Sequence, residues 1–234
     1  MANNANGGGT HFSGQNITIG ALSTGDNSTA TNHQHARPDP ETGPTRQPDL
    51  LRVLFVLSNP RGTDRLRLDM EWRVIQEALR LSQRREHIAS RTLLAATADD
   101  LRRTLLEMPP YQIVHMAGHG GPNGFLLEDA WGRPQMVSEQ ALAQHFENYR
   151  QTLRCVILNA CYSPVIGQGI ALGIPNVISL SGPLDQQASI EFSRGFYDAL
   201  GAGTDIERAY REGLSAVRFA GLERDFLALL LRES

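Results

Sequence analysis

The 234-residue sequence predicts an α/β fold with a mostly parallel sheet and helices on both faces. Three observations lead there. Residues 50–234 alternate strand-like and helix-like patterns. Several strand candidates are near-continuous apolar runs, as expected of strands covered on both faces. The apolar positions between them recur at helical spacing.

The elements follow in order. Leu51–Leu57 is apolar at nearly every position and reads as the first strand. Asp69 to Ser82 has helical spacing through Met70, Trp72, Val74, Ile75, Ala78 and Leu79. His87 to Ala96 is the second strand. Thr97 then caps a helix, with Asp100 three residues on, that runs to Met108 and stops at Pro109-Pro110. Tyr111–Ala117 is the third strand. Phe125 to Val137 reads as a hairpin turning at Trp131-Gly132-Arg133. Ser138 caps a helix from Glu139 to about Tyr149. Leu153–Asn159 is the fourth strand, Pro164 to Leu172 a short helix, and Asn176–Ser181 the fifth strand. Gln186 to Leu200 and Asp205 to Phe219 are amphipathic helices. Phe226 to Leu231 is either a sixth strand or a final helical turn, because a short apolar run has no decisive period.

Composition narrows the function classes. Hydrophobic residues make up 41% and charged residues 20%, ordinary for a globular protein. No run approaches the length of a membrane span, and the N-terminus lacks the basic start and apolar core of a secretory signal. The expected compartment is the cytoplasm. Two cysteines, Cys155 and Cys161, make no disulfide framework. The formal charge of −3 gives no basic field for nucleic acid. All 22 basic residues are arginine, which excludes lysine Schiff-base chemistry and a phosphate-loop lysine.

The chain changes character near residue 50. Residues 1–35 are rich in Gly, Asn and Thr, and residues 36–49 carry four prolines and read as a linker. The tail has two readings. It is a disordered leader, since it cannot bury enough apolar surface to offset its ordering entropy. Alternatively, Phe12 to Thr31 forms short strands that stack between chains, with Gly and Asn at the turns. Asp26 is the first charged side chain, so Met1 through Gly25 offers no charge repulsion to stacking.

The chemistry gathers at two strand ends. In open α/β sheets, ligands bind beyond the carboxyl ends of the strands. The third strand runs into Gly118-His119-Gly120-Gly121, and the fourth into Asn159-Ala160-Cys161-Tyr162-Ser163. If those strands are neighbours, His119 and Cys161 emerge side by side. A nucleophilic thiol needs a base within hydrogen-bond reach, and a histidine supplies one. Cys155 lies inside an apolar strand and reads as structural. His115, mid-strand, packs or hydrogen-bonds. His115 and His119 have the spacing of a helical zinc pair, but on a strand and without the accompanying Glu, so no metal is expected. Gly167-Gln-Gly169 has the wrong spacing for a dinucleotide loop, and no cofactor is expected.

At these residues the sequence resembles the CHAT family of caspase-like cysteine proteases, in the clan of caspases, metacaspases, gingipains and separase. The resemblance covers about residues 50–234. It is carried by Val114-His-Met-Ala-Gly-His-Gly120, by Val156-Ile-Leu-Asn-Ala-Cys-Tyr-Ser163 and by Ile174-Pro-Asn-Val-Ile-Ser-Leu-Ser-Gly-Pro-Leu-Asp185. Phe192 to Leu200 and Thr204 to Tyr210 extend it. It implies a caspase-like three-layer α/β/α sandwich with a mostly parallel central sheet, preceded by the low-complexity tail. His119 and Cys161 would form the catalytic dyad, and the backbone amides of Gly120 and Cys161 the oxyanion hole. No third catalytic residue is obligatory in the clan. Where many relatives have Trp in the third motif, this sequence has Gly182-Pro183. Many relatives carry helical repeats ahead of the domain; here the Gly/Asn-rich tail stands in that place, so the resemblance implies no repeat-based regulation.

By the same resemblance Asp185 lies near the pocket for the side chain preceding the scissile bond, where an acid would favour Arg or Lys. Its other reading is the N-cap of the following helix. The resemblance also lets the loop after strand one line the pocket. The plain reading of Asp64, Asp69 and Glu71 there is solvated surface or helix cap. Glu128 and Asp129 sit in the hairpin after His119. Arg84-Arg85 and Arg102-Arg103 read as exposed helix faces.

The expected partner is therefore a protein substrate, in a bacterial defence or cell-death pathway, with residues 1–35 a self-association or adaptor segment. Rival readings are a catalytically silent caspase-like scaffold and another Cys–His acyl transferase or amidase.

Overall fold

The computed structural model describes residues 50–181, 186–222 and 227–232. The tail, the linker, the Gly182-Pro183 departure and Asp185 lie outside the described residues. The sheet has six strands: β1 (Leu51–Leu57), β2 (Ile88–Leu94), β3 (Ile113–Ala117), β7 (Cys155–Asn159), β8 (Asn176–Ser181) and β9 (Leu227–Arg232). Their spatial order is β2-β1-β3-β7-β8-β9. Every pairing is parallel except that of β9, which runs antiparallel to β8. The ambiguous run near the C-terminus is thus a strand, decided by its pairing partner rather than by its own period.

Between strands lie α1 (Leu68–Leu81), α2 (Ala98–Leu105), α3 (Glu139–Glu147), α4 (Ser163–Ile170), α5 (Gln186–Gly201) and α6 (Ile206–Phe219). Successive side chains of a strand point to opposite faces. Leu54 and Val56 of β1 therefore join a core built with Leu101, Leu142 and Ile166 of α2, α3 and α4. Val53 and Phe55 join a second core with Ile75, Phe192 and Val217 of α1, α5 and α6. Helices cover both faces, which makes the three-layer α/β/α sandwich and explains why β1 reads as a continuous apolar run.

Caps set the helix starts. The Thr97 side chain accepts from the Asp100 amide and Asp100 returns a bond to the Thr97 amide, a complete capping box. Ser138 and Asp205 accept from the Ala141 and Arg208 amides. A 3-10 turn at Arg85–His87 delays β2 to Ile88.

The predicted hairpin is larger than expected. β5 (Gly124–Glu128) and β6 (Pro134–Ser138) pair as anticipated, and β4 (Gly120–Gly121) adds a third strand. That addition matters for the site, because β4 begins one residue after His119. Among the described residues no helix is long and apolar enough to cross a membrane.

Candidate active site

The site is built from the carboxyl ends of four strands. The register aligns Ala117 of β3 with Asn159 of β7, so the loops after them leave the sheet side by side. The Gly118 amide donates to the Asn159 carbonyl at 3.1 Å, tying the two exits together. On the other side, the Ser58 amide donates to the Ala117 carbonyl at 3.1 Å. A Cβ at Gly118 would stand 2.6 Å from the Ser58 carbonyl oxygen, so a side chain there would push β3 and the loop after β1 apart.

His119 and Cys161 line one cleft of about 80 Å³. With them stand Leu66, Arg67 and Leu68 from the loop after β1 and the start of α1, and Leu180 from the end of β8. Gln186, Ser189 and Ile190 of α5 close it. Cys161 is exposed and His119 half-buried. The His119 carbonyl accepts from the Leu126 amide at 2.9 Å, so the small hairpin sheet anchors the histidine loop.

The His119 ring is oriented from the β1 side. Nε2 lies 2.8 Å from the Asp64 backbone oxygen. A carbonyl only accepts, so Nε2 carries the proton and Nδ1 of the neutral ring keeps its lone pair. Asp64 thus acts through its backbone, not its carboxylate. Asp69 pairs with Arg67 at 3.1 Å on the surface, and that hydrogen bond holds its carboxyl below the usual range.

The cysteine turn is tightly made. Tyr162 adopts φ 57°, ψ 10°, left-handed geometry that a bulky side chain rarely takes and that recurs at functional turns. The next residue, Ser163, is fully buried and donates to the Leu180 carbonyl at 2.8 Å. Ser179 Oγ donates to the Ser163 carbonyl at 3.0 Å. These bonds lock the start of α4 onto β8. Cys161 precedes the N-cap of α4, where the helix dipole favours negative charge. Gly120 backs onto this turn so closely that an added Cβ would lie 3.1 Å from the Cys161 carbonyl carbon and from Ala160 Cβ.

Beneath His119 and Cys161 lies a polar network. Glu71 of α1 lines the cleft at 2% exposure. Asn159 Nδ2 donates to both its oxygens, at 2.9 and 2.8 Å, and Ser193 Oγ donates to Oε1 at 2.9 Å. His115 is 1% exposed; its Nε2 lies 3.2 Å from Glu71 Oε1 but outside hydrogen-bond geometry, and its Nδ1 is 2.9 Å from the Tyr197 hydroxyl. Burial pushes the Tyr197 phenol up and keeps it protonated.

The surface or cap reading of Glu71 is therefore corrected: it faces the core side of α1 with Val74, Ile75 and Ala78. Glu128 is also buried and accepts from the Asn59 amide at 3.2 Å, while Asp129 caps its hairpin by accepting from the Trp131 and Arg133 amides. Neither lines the cleft. Cys155 is fully buried in β7, and burial pushes its thiol up. Among the described residues no group of three or more His, Cys, Asp or Glu is arranged to hold a metal ion.

Comparison with known proteins agrees with this architecture. A Roc-COR-CHAT protease from an unknown prokaryotic organism is 23% identical over 175 residues, 71% of this chain and 16% of that protein. A probable protease from Gillisia limnaea is 26% identical over 172 residues, 71% of this chain and 30% of that protein. The chain thus aligns with under a third of the length of either relative. The crystal structure of the Drosophila initiator caspase Dronc superposes with a TM-score of 0.50 at 11% identity, covering 80% of this chain and 83% of that one, a likeness of fold. The CHAT domain family model matches residues 1–219, and with histidine and cysteine loops paired at the ends of β3 and β7 on a caspase-like sheet, the chain belongs to the CHAT family.

Proposed function

We propose that the chain is a cysteine endopeptidase. The supporting observation is that His119 and Cys161 line one cleft at the ends of paired strands, with His119 Nε2–H held by the Asp64 carbonyl. That tautomer leaves Nδ1 free to accept the Cys161 proton. The sulfur then attacks the scissile carbonyl and forms a tetrahedral oxyanion, for which the amides of Gly120 and Cys161 are the proposed donors. Such a donor is typically worth about 2.7–4 kcal/mol. As the C–N bond breaks, His119 returns the proton to the leaving amine. Water next attacks the thioester, gives a proton to His119 and releases the acid, and the thiol is restored. Asp185, immediately before the cleft residue Gln186, is a proposed substrate contact.

A proteome-wide cleavage profile of wild type against Cys161→Ala tests this reading. Peptide ends that appear only with wild type support it, and equal cleavage by both proteins ends it. An acyloxymethyl-ketone peptide should label Cys161 and spare Cys155.

The proposed organisation is an adaptor tail at 1–35, a linker at 36–49 and the peptidase domain at 50–234, working in the cytoplasm of a bacterial defence or cell-death pathway. The charge-free run from Met1 to Gly25 supports self-association, and a flexible linker would hold catalytic domains at high local concentration. Deleting residues 1–49 should reduce assembly size and make turnover independent of protein concentration. Unchanged assembly and turnover would remove this role.

A further inference from the structure

We propose that Glu71 sets the specificity of the cleft, and that the cleft takes a cationic side chain, arginine or lysine, immediately before the scissile bond. This rests on the protease reading above and adds the substrate class.

Depth and charge carry the argument. From mouth to floor the lining passes from exposed Cys161 through half-buried His119 to Glu71, which is 2% exposed. A carboxylate so far from water is costly unless a cation or a full set of donors meets it. The donors that reach Glu71 with hydrogen-bond geometry, Asn159 and Ser193, are neutral. They are unevenly shared. Oε1 receives both, and His115 Nε2 stands on that side too. Among the described residues Oε2 receives Asn159 alone, although a carboxylate oxygen offers two lone pairs. Spare acceptor capacity therefore lies on Oε2.

The other charged lining residue does not neutralise it. The Arg67 guanidinium is bonded to Asp69 in solvent, at 3.1 and 3.2 Å. Those two charges offset each other and leave Glu71 as the net charge of the described lining.

Shape agrees with charge. Leu66, Leu68, Leu180 and Ile190 form apolar walls around a volume of about 80 Å³. A methylene stem along those walls with a cation at the floor satisfies both features. An acidic side chain would meet like charge. A neutral one would give Glu71 no opposite charge.

The test compares peptides that differ only at the residue before the scissile bond: arginine, lysine, norleucine and glutamate. Wild type should cleave the arginine and lysine peptides at least about 10-fold faster, in kcat/KM, than the norleucine peptide. In Glu71→Gln, which keeps shape and removes charge, that ratio should collapse toward one. Arginine and norleucine peptide aldehydes binding to wild type should give the same order of affinity. This arm needs no variant and stands if Glu71→Gln fails to fold. Wild-type preference for norleucine or glutamate overturns this inference alone. So does a ratio that survives Glu71→Gln but collapses in Asp185→Asn. No Cys161-dependent cleavage of any peptide overturns the protease reading and this inference with it.

Discussion

Replacing Asn159 by alanine exposes the energetics of the buried carboxylate. Asn159 Nδ2 supplies hydrogen bonds of 2.9 and 2.8 Å to Glu71, leaving Ser193 at 2.9 Å as the remaining donor with hydrogen-bond geometry. Removing one partner of a buried charge costs about 3–5 kcal/mol, because the charge stays behind in a poor environment. Asn159→Ala should lose about that much, and at roughly 2–4 °C per kcal/mol for a domain of this size its Tm should fall by about 6–20 °C. Glu71→Leu removes the charge instead. It leaves a neutral amide and a hydroxyl short of acceptors, a loss of about 1–3 kcal/mol. The double variant Glu71→Leu/Asn159→Ala should cost less than the sum of the two, with a coupling of about 2 kcal/mol. Urea unfolding followed by tryptophan fluorescence measures all three, since Trp72 of α1 packs against the core with its ring 4.8 Å from that of Phe55. If Asn159→Ala costs no more than Glu71→Leu, or the coupling is below about 0.5 kcal/mol, the buried-charge reasoning fails.

Gly120→Ala should part the histidine and cysteine loops, because its Cβ would collide with the Cys161 carbonyl oxygen. A displacement near 1 Å lowers turnover about 100-fold, and wild-type kcat/KM in this variant would show that the close approach is not needed. Iodoacetamide on the native protein should modify exposed Cys161 and spare buried Cys155, read by peptide mass mapping. Comparable modification of both would contradict the packing of β7. Thr97→Ala removes a capping box and should cost about 1 kcal/mol, read as a Tm shift in a thermal melt.

Much of the scaffold was legible because local signals and tertiary demands coincide. The Leu51–Leu57 strand matches residue for residue, since a strand covered on both faces has no solvent side to interrupt its apolar run. Thr97 and Ser138 cap helices as read, because a cap is a local bond between a side chain and nearby amides; Asp205, read as the first helical residue, is the N-cap of α6. Phe226 to Leu231 could not be decided, as it is β8 across the sheet that makes it a strand. β4 escaped notice because a two-residue strand of glycines has no side-chain pattern.

The candidate site divides the same way. His119 and Cys161 stand out in sequence because each follows an apolar strand among small residues, and strand ends are where α/β sheets hold ligands. Glu71 left a fainter mark: it shares the helical stripe of Val74, Ile75 and Ala78, an acid on a buried face. Its meaning still depended on Asn159, Ser193 and His115, up to 122 positions away in the chain. The sequence by itself determined the order of the elements from β1 to α6 apart from β4, the caps at Thr97 and Ser138, and the residue types at the two strand ends. Only the tertiary structure decided that β3 and β7 are neighbours, that the Asp64 carbonyl orients His119, and that a carboxylate lines the same cleft as His119 and Cys161. The physical reason is that periodicity and capping act within a few residues, whereas cleft geometry and buried charge arise from pairings between distant segments.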